Sequence, residues 1–333
     1  MVRSGIQSRR SNSLYPAGAL TSTLTRILIG ALCVLVGCAR SDGFRDDQQY
    51  SRESTPEMNV ANRIEKMGQP KKRIVVLDFM NVTPIQYGEL GKFSADELRR
   101  ELFLSQRVIV PTEVESRFGT REYIDGDNVK VAQLIREGRS MGVASLVIGR
   151  VSKIVFRQRG DEVGVLRQTQ SLAAVEIEIK LFDVAGGREV MATSRSGEAS
   201  SSAMVAFEGK DMQSTAYRTE LIKLAIRNTV KTISPQILLG MEKMQWEGKI
   251  AKITGSKVVL NSGRMSGLVG GDILRVLTPG EDVYDPATGA YLGRTDGQLK
   301  GTLEVQDFVG PDAALAVVHT GGQFQLGDVV RLY

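Results

Sequence analysis

Residue types that commonly carry chemistry are scarce in this chain of 333 residues, which has one histidine, His319, and two cysteines, Cys33 and Cys38. His319 ends the apolar-rich stretch Ala313 to His319, which reads as a strand. It has no second histidine or cysteine with which to hold a metal or activate a nucleophile. Asp78 follows a run of β-branched residues, where a catalytic carboxylate could sit, but it reads as a polar residue closing a strand. Paired acids remain open, since two of the 38 Asp and Glu side chains can meet in space. There is no Walker-type loop, and Ser266 to Gly271 lacks the strand-turn-helix context of a dinucleotide fingerprint. The expectation is a protein that is not an enzyme and that has no metal and no cofactor.

The remaining chemistry is that of a thiol. Ile27 to Val36 is an apolar run of about the 7–15 residues expected of a signal-peptide core and is short of the ~20 that span a bilayer. It follows basic residues and ends in Leu35, Val36, Gly37 and Cys38. This tetrad resembles the bacterial lipobox, in which the cysteine is diacylated on sulfur, becomes the new N-terminus and is acylated again. A plain secretory leader with an incidental cysteine is the competing reading. Several acyl chains, at about 0.8 kcal/mol per buried methylene, would anchor the chain stably. By resemblance to known sorting, Ala39 after the cysteine favours the outer membrane, with the protein facing the periplasm.

Composition narrows the partners. The formal charge is +5, from 43 Lys and Arg against 38 Asp and Glu. Arg3, Arg9, Arg10 and Arg26 all precede Cys38 and no acid does, so removing 1–37 leaves +1. The basic pI belongs to the leader, and nothing in the remainder calls for nucleic acid. With 42% hydrophobic and 24% charged residues over 333 positions the chain can bury the cores of about two domains. Both cysteines lie in or at the end of the leader, so no disulfide framework is expected.

The elements follow in order. Residues 38–72 are polar, poor in aliphatic side chains and read as a flexible tether with a reach on the order of 30 Å. Arg73 to Phe79 is a continuous apolar run typical of a strand buried on both faces. A helix should start at Ser94 as N-cap, with Glu97 three residues on and Leu98, Leu102 and Phe103 on one face. Arg107 to Val110 returns as a short strand. Val129 to Met141 reads as an amphipathic helix. Three strands follow, Ser145 to Phe156, Val175 to Val184 and Arg188 to Thr193. In the middle one Val175, Ile177, Ile179 and Leu181 alternate with Glu176, Glu178 and Lys180, so one face is wet. Ala185 to Arg188 should turn the last two into a hairpin. A helix from about Gln213 to Ile233 is expected to stop near Pro235. From Trp246 onward, short apolar runs separated by Gly-containing turns indicate a barrel or sandwich. Gly271-Asp272 and Gly327-Asp328 launch similar strands there, and Asp285 to Gly289 is a hairpin tip. The expected fold is α+β, a mixed β-sheet with packed helices over 73–240, followed by a small all-β barrel or sandwich over 245–333.

Arg73 to Phe79, the Val108 to Val110 strand, Gly142 to Gly149 and the Val175 to Val184 hairpin strand, in that order after a lipobox, resemble the CsgG family of curli secretion channel lipoproteins. Residues 246–333 are similar to the C-terminal β-domain of the flagellar assembly protein FlgT, through Leu260 to Gly263, Gly271-Asp272, Asp285 to Gly289 and Gly327 to Val330. The resemblance implies a homo-oligomer and two excursions from the sheet that form a transmembrane barrel, here near Arg157 to Gln170 and Arg195 to Gly209. A lipid-facing strand needs about 9–11 residues with apolar alternation. Arg157 to Gln170 offers none, since one register carries Arg157, Arg159, Asp161 and Arg167 and the other Gln158, Glu162 and Gln168. The second excursion places Ala199, Ala203, Val205 and Phe207 on one side, enough for membrane or partner contact but short for two spanning strands. The favoured expectation is a lipid-anchored scaffold with protein partners in the periplasm or outer membrane. A CsgG-type secretion pore for curli-like subunits is the alternative, and a hydrolase is the distant third.

Overall fold

The computed structural model describes residues 68–333 apart from 87, 113–117, 119–122, 126–127, 161–168, 202–213 and 290. Leu35, Val36, Gly37, Cys38 and most of the expected tether lie outside the described residues, as do Ala203, Val205 and Phe207. The first half runs β1 (Lys72–Val76), β2 (Met80–Asn81), α1 (Leu90–Leu104), β3 (Val108–Ile109), β4 (Ile124–Asp125), β5 (Asn128–Val129) and α2 (Val131–Ser140). A long meander follows, β6 (Ser145–Gly160), β7 (Thr169–Asp183) and β8 (Arg188–Ser200), and then α3 (Thr215–Glu242). The second half is β9 (Gly248–Thr254), β10 (Lys257–Leu260), β11 (Ile273–Leu277), β12 (Asp282–Tyr284), β13 (Tyr291–Arg294), β14 (Leu299–Val309), β15 (Ala313–Gly321) and β16 (Val329–Leu332).

The main sheet has the order β3-β1-β6-β7-β8, with β2 extending alongside β6. β3, β1 and β6 are parallel, and β7 and β8 add antiparallel. β1 is buried on both faces, as a parallel strand between helices must be. Ile74 and Val76 enter the cluster beneath α1 and α3, while Val75 and Leu77 pack with Leu134 and Ile135 of α2. On β7, Val175, Ile177, Ile179 and Leu181 are at most 1% exposed. Each contributes roughly 1.5–3 kcal/mol by leaving water. Their neighbours Glu176, Glu178 and Lys180 stay wet.

Several boundaries differ from the sequence reading, among them β6, which runs on past Phe156 to Gly160, and β7, which starts at Thr169 rather than Val175. Ser94 does not cap α1: the helix starts at Leu90, and the buried Ser94 hydroxyl donates to Leu90 O at 2.7 Å. Burial of Leu90 and the close approach of Gly91 to Phe79 carry the helix a turn upstream of the polar residue that looked like its start. Pro235 does not end α3, which runs on to Glu242. Pro235 is exposed, so the carbonyl that loses its amide partner, that of the exposed Lys231, faces solvent. The turn beyond it buries Ile237, Leu238 and Met241 in the core. Finally, β8 continues past Thr193 to Ser200, paired residue by residue with β7 from Ile179↔Thr193 to Leu172↔Ser200.

β10-β15-β14-β11-β16-β9 close into a six-stranded barrel, and β12 and β13 form a separate hairpin whose tip is the Asp285 to Gly289 turn. The barrel has its own core, including Trp246, Leu260, Leu274, Leu303, Val305 and Val330. Its two Gly-Asp turns repeat one hydrogen-bond pattern. Gly271 N donates to Val305 O and Val305 N to Asp272 O, while Gly327 N donates to Ile250 O and Ile250 N to Asp328 O, all at 2.7–3.0 Å. In each turn the aspartate accepts from the backbone N–H three residues earlier, Val269 and Gln325.

Candidate functional site

Two surfaces stand out, the meander and the seam between sheet and barrel, which belong to one compact unit. The pairing of β6 with β7 shifts once, at a bulge between Val151 and Lys153, and then runs unbroken to Gly160↔Thr169, so both ends of the expected first excursion are already paired strand. On β8, Gly197 sits where a Cβ would come within 2.6 Å of Thr229 N and 2.9 Å of its Cα. A glycine there lets α3 lie close on the strand, and Thr229 Oγ1 reaches Val175 O at 3.2 Å. Ala199, placed by sequence on an outward excursion, lies opposite Ala173 and is 5% exposed within the core cluster. Phe156 packs against that cluster, with the Arg218 guanidinium 5.3 Å from its ring centroid.

The opposite face of the meander is a solvated charge ladder. Arg150 donates to Glu178 at 2.7 Å, the Ser194 hydroxyl to Glu176 at 2.9 Å, and Lys180 lies 3.5 Å from Glu189. Such exposed pairs are worth about 0–1 kcal/mol each. Beside α2 this face opens a groove of about 570 Å³, which combines apolar Met80, Val131, Ile148 and Phe182 with polar Arg150 and Glu178.

The seam is held by polar contacts. Arg73, on the side of β1 opposite Ile74, donates to Asn261 O at 2.6 Å and to Asp312 Oδ2 at 2.9 Å. Asp312 also accepts from Gly263 N, Ser266 N and the Ser266 hydroxyl, each at 2.8 Å. Burial alone would raise its pKa, but these donors together hold the carboxyl below the usual range. Arg139, in the last turn of α2, pairs with Asp282 at 2.9 Å, and Tyr291 Oη reaches Gly186 O at 3.4 Å. Between the β7–β8 turn, the end of α3 and the β12–β13 hairpin lies a cleft of about 1030 Å³ lined by Arg188, Lys243, Tyr291 and Arg331 among others.

The residues singled out for chemistry are dispersed. Asp78 pairs with Arg99 at 2.8 Å, and Arg99 also donates to Val76 O, a tie between β1 and α1. His319 is exposed on β15. Among the described residues no group of three or more His, Cys, Asp or Glu could hold a metal, and no helix is long and apolar enough to cross a membrane. Sequence reasoning missed Lys72, which is 6% exposed, donates to Gln69 Oε1 at 3.1 Å and is pushed down to about 8 by burial against the opposing influence of Asp183. It also missed the seam residues Arg73 and Asp312. A lysine and an arginine opening an apolar strand were the only signals.

The chain matches no protein-family model and none of the curated proteins. Among solved structures it is weakly similar to lipoprotein GNA1162 of Neisseria meningitidis, at 16% identity and a TM-score of 0.28 over 48% of this chain and 99% of that one. It is similar to a PelC dodecamer of Paraburkholderia phytofirmans at 15% identity and a TM-score of 0.29, over 50% and 88%. With the LpoB C-terminal domain of Escherichia coli it shares 12% identity and a TM-score of 0.27, over 41% and 91%. Scores of this size carry no argument about this chain's fold or its activity.

Proposed function

We propose that this chain is a CsgG-like lipoprotein anchored in the outer membrane through Cys38, facing the periplasm and acting without catalysis as a scaffold in the assembly or secretion of a surface or envelope structure. The observation that carries the reading is the meander, a three-stranded ribbon whose outer face is a charge ladder and whose inner face is occupied by α3. Such a ribbon presents a polar surface to partners in water and offers lipid no apolar face. Exposed Phe103, Leu104 and Leu239 at the C-terminal ends of α1 and α3 support protein–protein contact, including lateral packing of copies. The anchor and tether would raise the local concentration of copies on one membrane.

A second reading, an oligomeric secretion pore, draws support from the in-register pairing that continues to Gly160↔Thr169, the kind of hairpin a barrel is assembled from. Fractionation and planar-bilayer recording separate the two. Replacing Cys38 with Ser should release the protein from membranes or leave an unprocessed precursor, and unchanged membrane association with unchanged mature mass would remove the anchor. Reconstituted full-length protein should give no stable conductance steps. Steps that vanish on deleting 157–170 would establish the pore instead.

A further inference from the structure

Behind the large cleft, between α2 and the barrel, lies a smaller crevice of about 60 Å³. Roughly 10–15 Å³ holds one water, so the crevice has room for several waters or one tetrahedral oxyanion. It shares Ala185, Gln245, Glu247, Arg294 and Val329 with the cleft and so adjoins it. Three cations line it, Arg139, Lys249 and Arg294, and one acid, Glu247.

Their pairing leaves charge over. Arg139 is matched by Asp282 at 2.9 Å, and Glu247 is matched by Arg331 at 2.5 Å from outside the crevice; Arg331 also pairs with Asp296 at 3.2 Å, so four cations face three acids and one positive charge is left over. The Lys249 ammonium donates to a backbone carbonyl, Arg139 O, and Arg294 Nε donates to another, Gly280 O, at 2.8 Å. Among the described residues neither Lys249 nor Arg294 has a carboxylate within ion-pair distance. The structural reading is that Lys249 caps the C-terminus of α2 and Arg294 braces the base of the β12–β13 hairpin. Those roles use one donor of Lys249's three and one of Arg294's five. Both groups are held below their usual pKa, by burial first and then by neighbouring cations, Arg294 and Arg139 for Lys249 and Arg139 for Arg294, against the opposing pull of Glu247 on Lys249 and of Asp282, Glu247 and Tyr291 on Arg294. Half-buried like charges of this kind are eased by an anion that joins them.

We infer that the crevice lined by Arg139, Lys249 and Arg294 binds a phosphate-type oxyanion. One surplus positive charge, together with the unused donors of Lys249 and Arg294, suits a phosphate-type oxyanion, whose oxygens accept more hydrogen bonds than those of a carboxylate. A planar guanidinium beside an ammonium is a recurrent way of holding phosphoryl oxygens. The group is free phosphate or, since the cleft adjoins the crevice, the phosphate of a monoester whose remainder occupies the larger space.

The test is thermal unfolding of the full-length protein in detergent at pH 7.5 and constant ionic strength. Inorganic phosphate, glycerol phosphate or acetate would replace chloride. Wild type should show a saturable rise in Tm with inorganic phosphate and none with acetate. Arg294→Gln should weaken phosphate binding at least tenfold, and Arg294→Lys should keep it within about threefold. Glycerol phosphate binding as tightly as phosphate would extend the site to monoesters, and a loss of binding would assign it to the free ion; both support the site. Lys249→Gln should behave like Arg294→Gln, and if it unfolds, Arg294→Gln alone decides. No saturable rise, an equal rise with acetate, or unchanged phosphate binding in Arg294→Gln overturns the inference.

Discussion

Asp312 shows how one side chain ties the barrel to the sheet, because it gathers donors from Arg73, Gly263 and Ser266 while only 13% exposed. Its carboxyl is held below the ordinary aspartate value, so the charged form belongs to the folded state. A depressed folded pKa contributes stability that is fully present above the unfolded value of about 3.9 and is lost as pH falls through the folded one. Asp312→Asn should therefore cost on the order of 1–3 kcal/mol at pH 7. The difference from wild type in urea unfolding should be flat down to about pH 5 and shrink below about pH 4. Lys72 has the opposite sign. Its folded pKa of about 8 lies below the ordinary 10.5, so between those values the unfolded chain holds a proton the folded one has released, and stability rises with pH. Lys72→Met should stabilise by on the order of 1–3 kcal/mol at pH 7, and that advantage should fade by about pH 10.5. Equal unfolding midpoints for Lys72→Met and wild type at pH 7 would show that the buried ammonium carries no cost.

The elements depend on close approach as well as on hydrophobic pattern. β8 tolerates α3 at its distance because Gly197 has no side chain where Thr229 lies, and the alternative is to move a helix whose Ile226, Val230 and Ile233 are fully buried. Gly197→Ala should destabilise by about 1–3 kcal/mol through overpacking. Ser196→Ala, next to it on the exposed face, should stay near neutral. Chemical denaturation of both variants checks this. A neutral Gly197→Ala would mean that α3 shifts at no cost.

At the scale of the molecule, the barrel closes on itself and encloses a core from Trp246 to Val330 that draws on none of the sheet's residues. The seam is polar, with Arg73–Asp312 and Arg139–Asp282 as its ion pairs. The fragment 245–333 should fold alone, with β-type circular dichroism and cooperative unfolding. A disordered spectrum would mean that the barrel needs the sheet. With the seam intact, the sheet and barrel should unfold in one transition in the full chain, and Asp312→Asn is the variant expected to separate them.

Much of this was legible along the chain because it depends on local periodicity. The alternation of Val175 to Leu181 set the two faces of β7, the unbroken run of Ile74 to Leu77 announced a strand covered on both sides, and the six apolar runs after Trp246 became the six barrel strands. Helix ends were less legible, because Ser94 and Pro235 signal what an isolated segment prefers. Packing of Leu90 at one end, and of Ile237 and Met241 at the other, outweighed those preferences. The seam and its crevice could not be read at all. Arg73 meets Asp312 across 239 positions, and Arg139 meets Asp282 across 143. No local pattern encodes which surface charges a second domain will bury, so only the tertiary structure brings Arg139, Lys249 and Arg294 into one crevice.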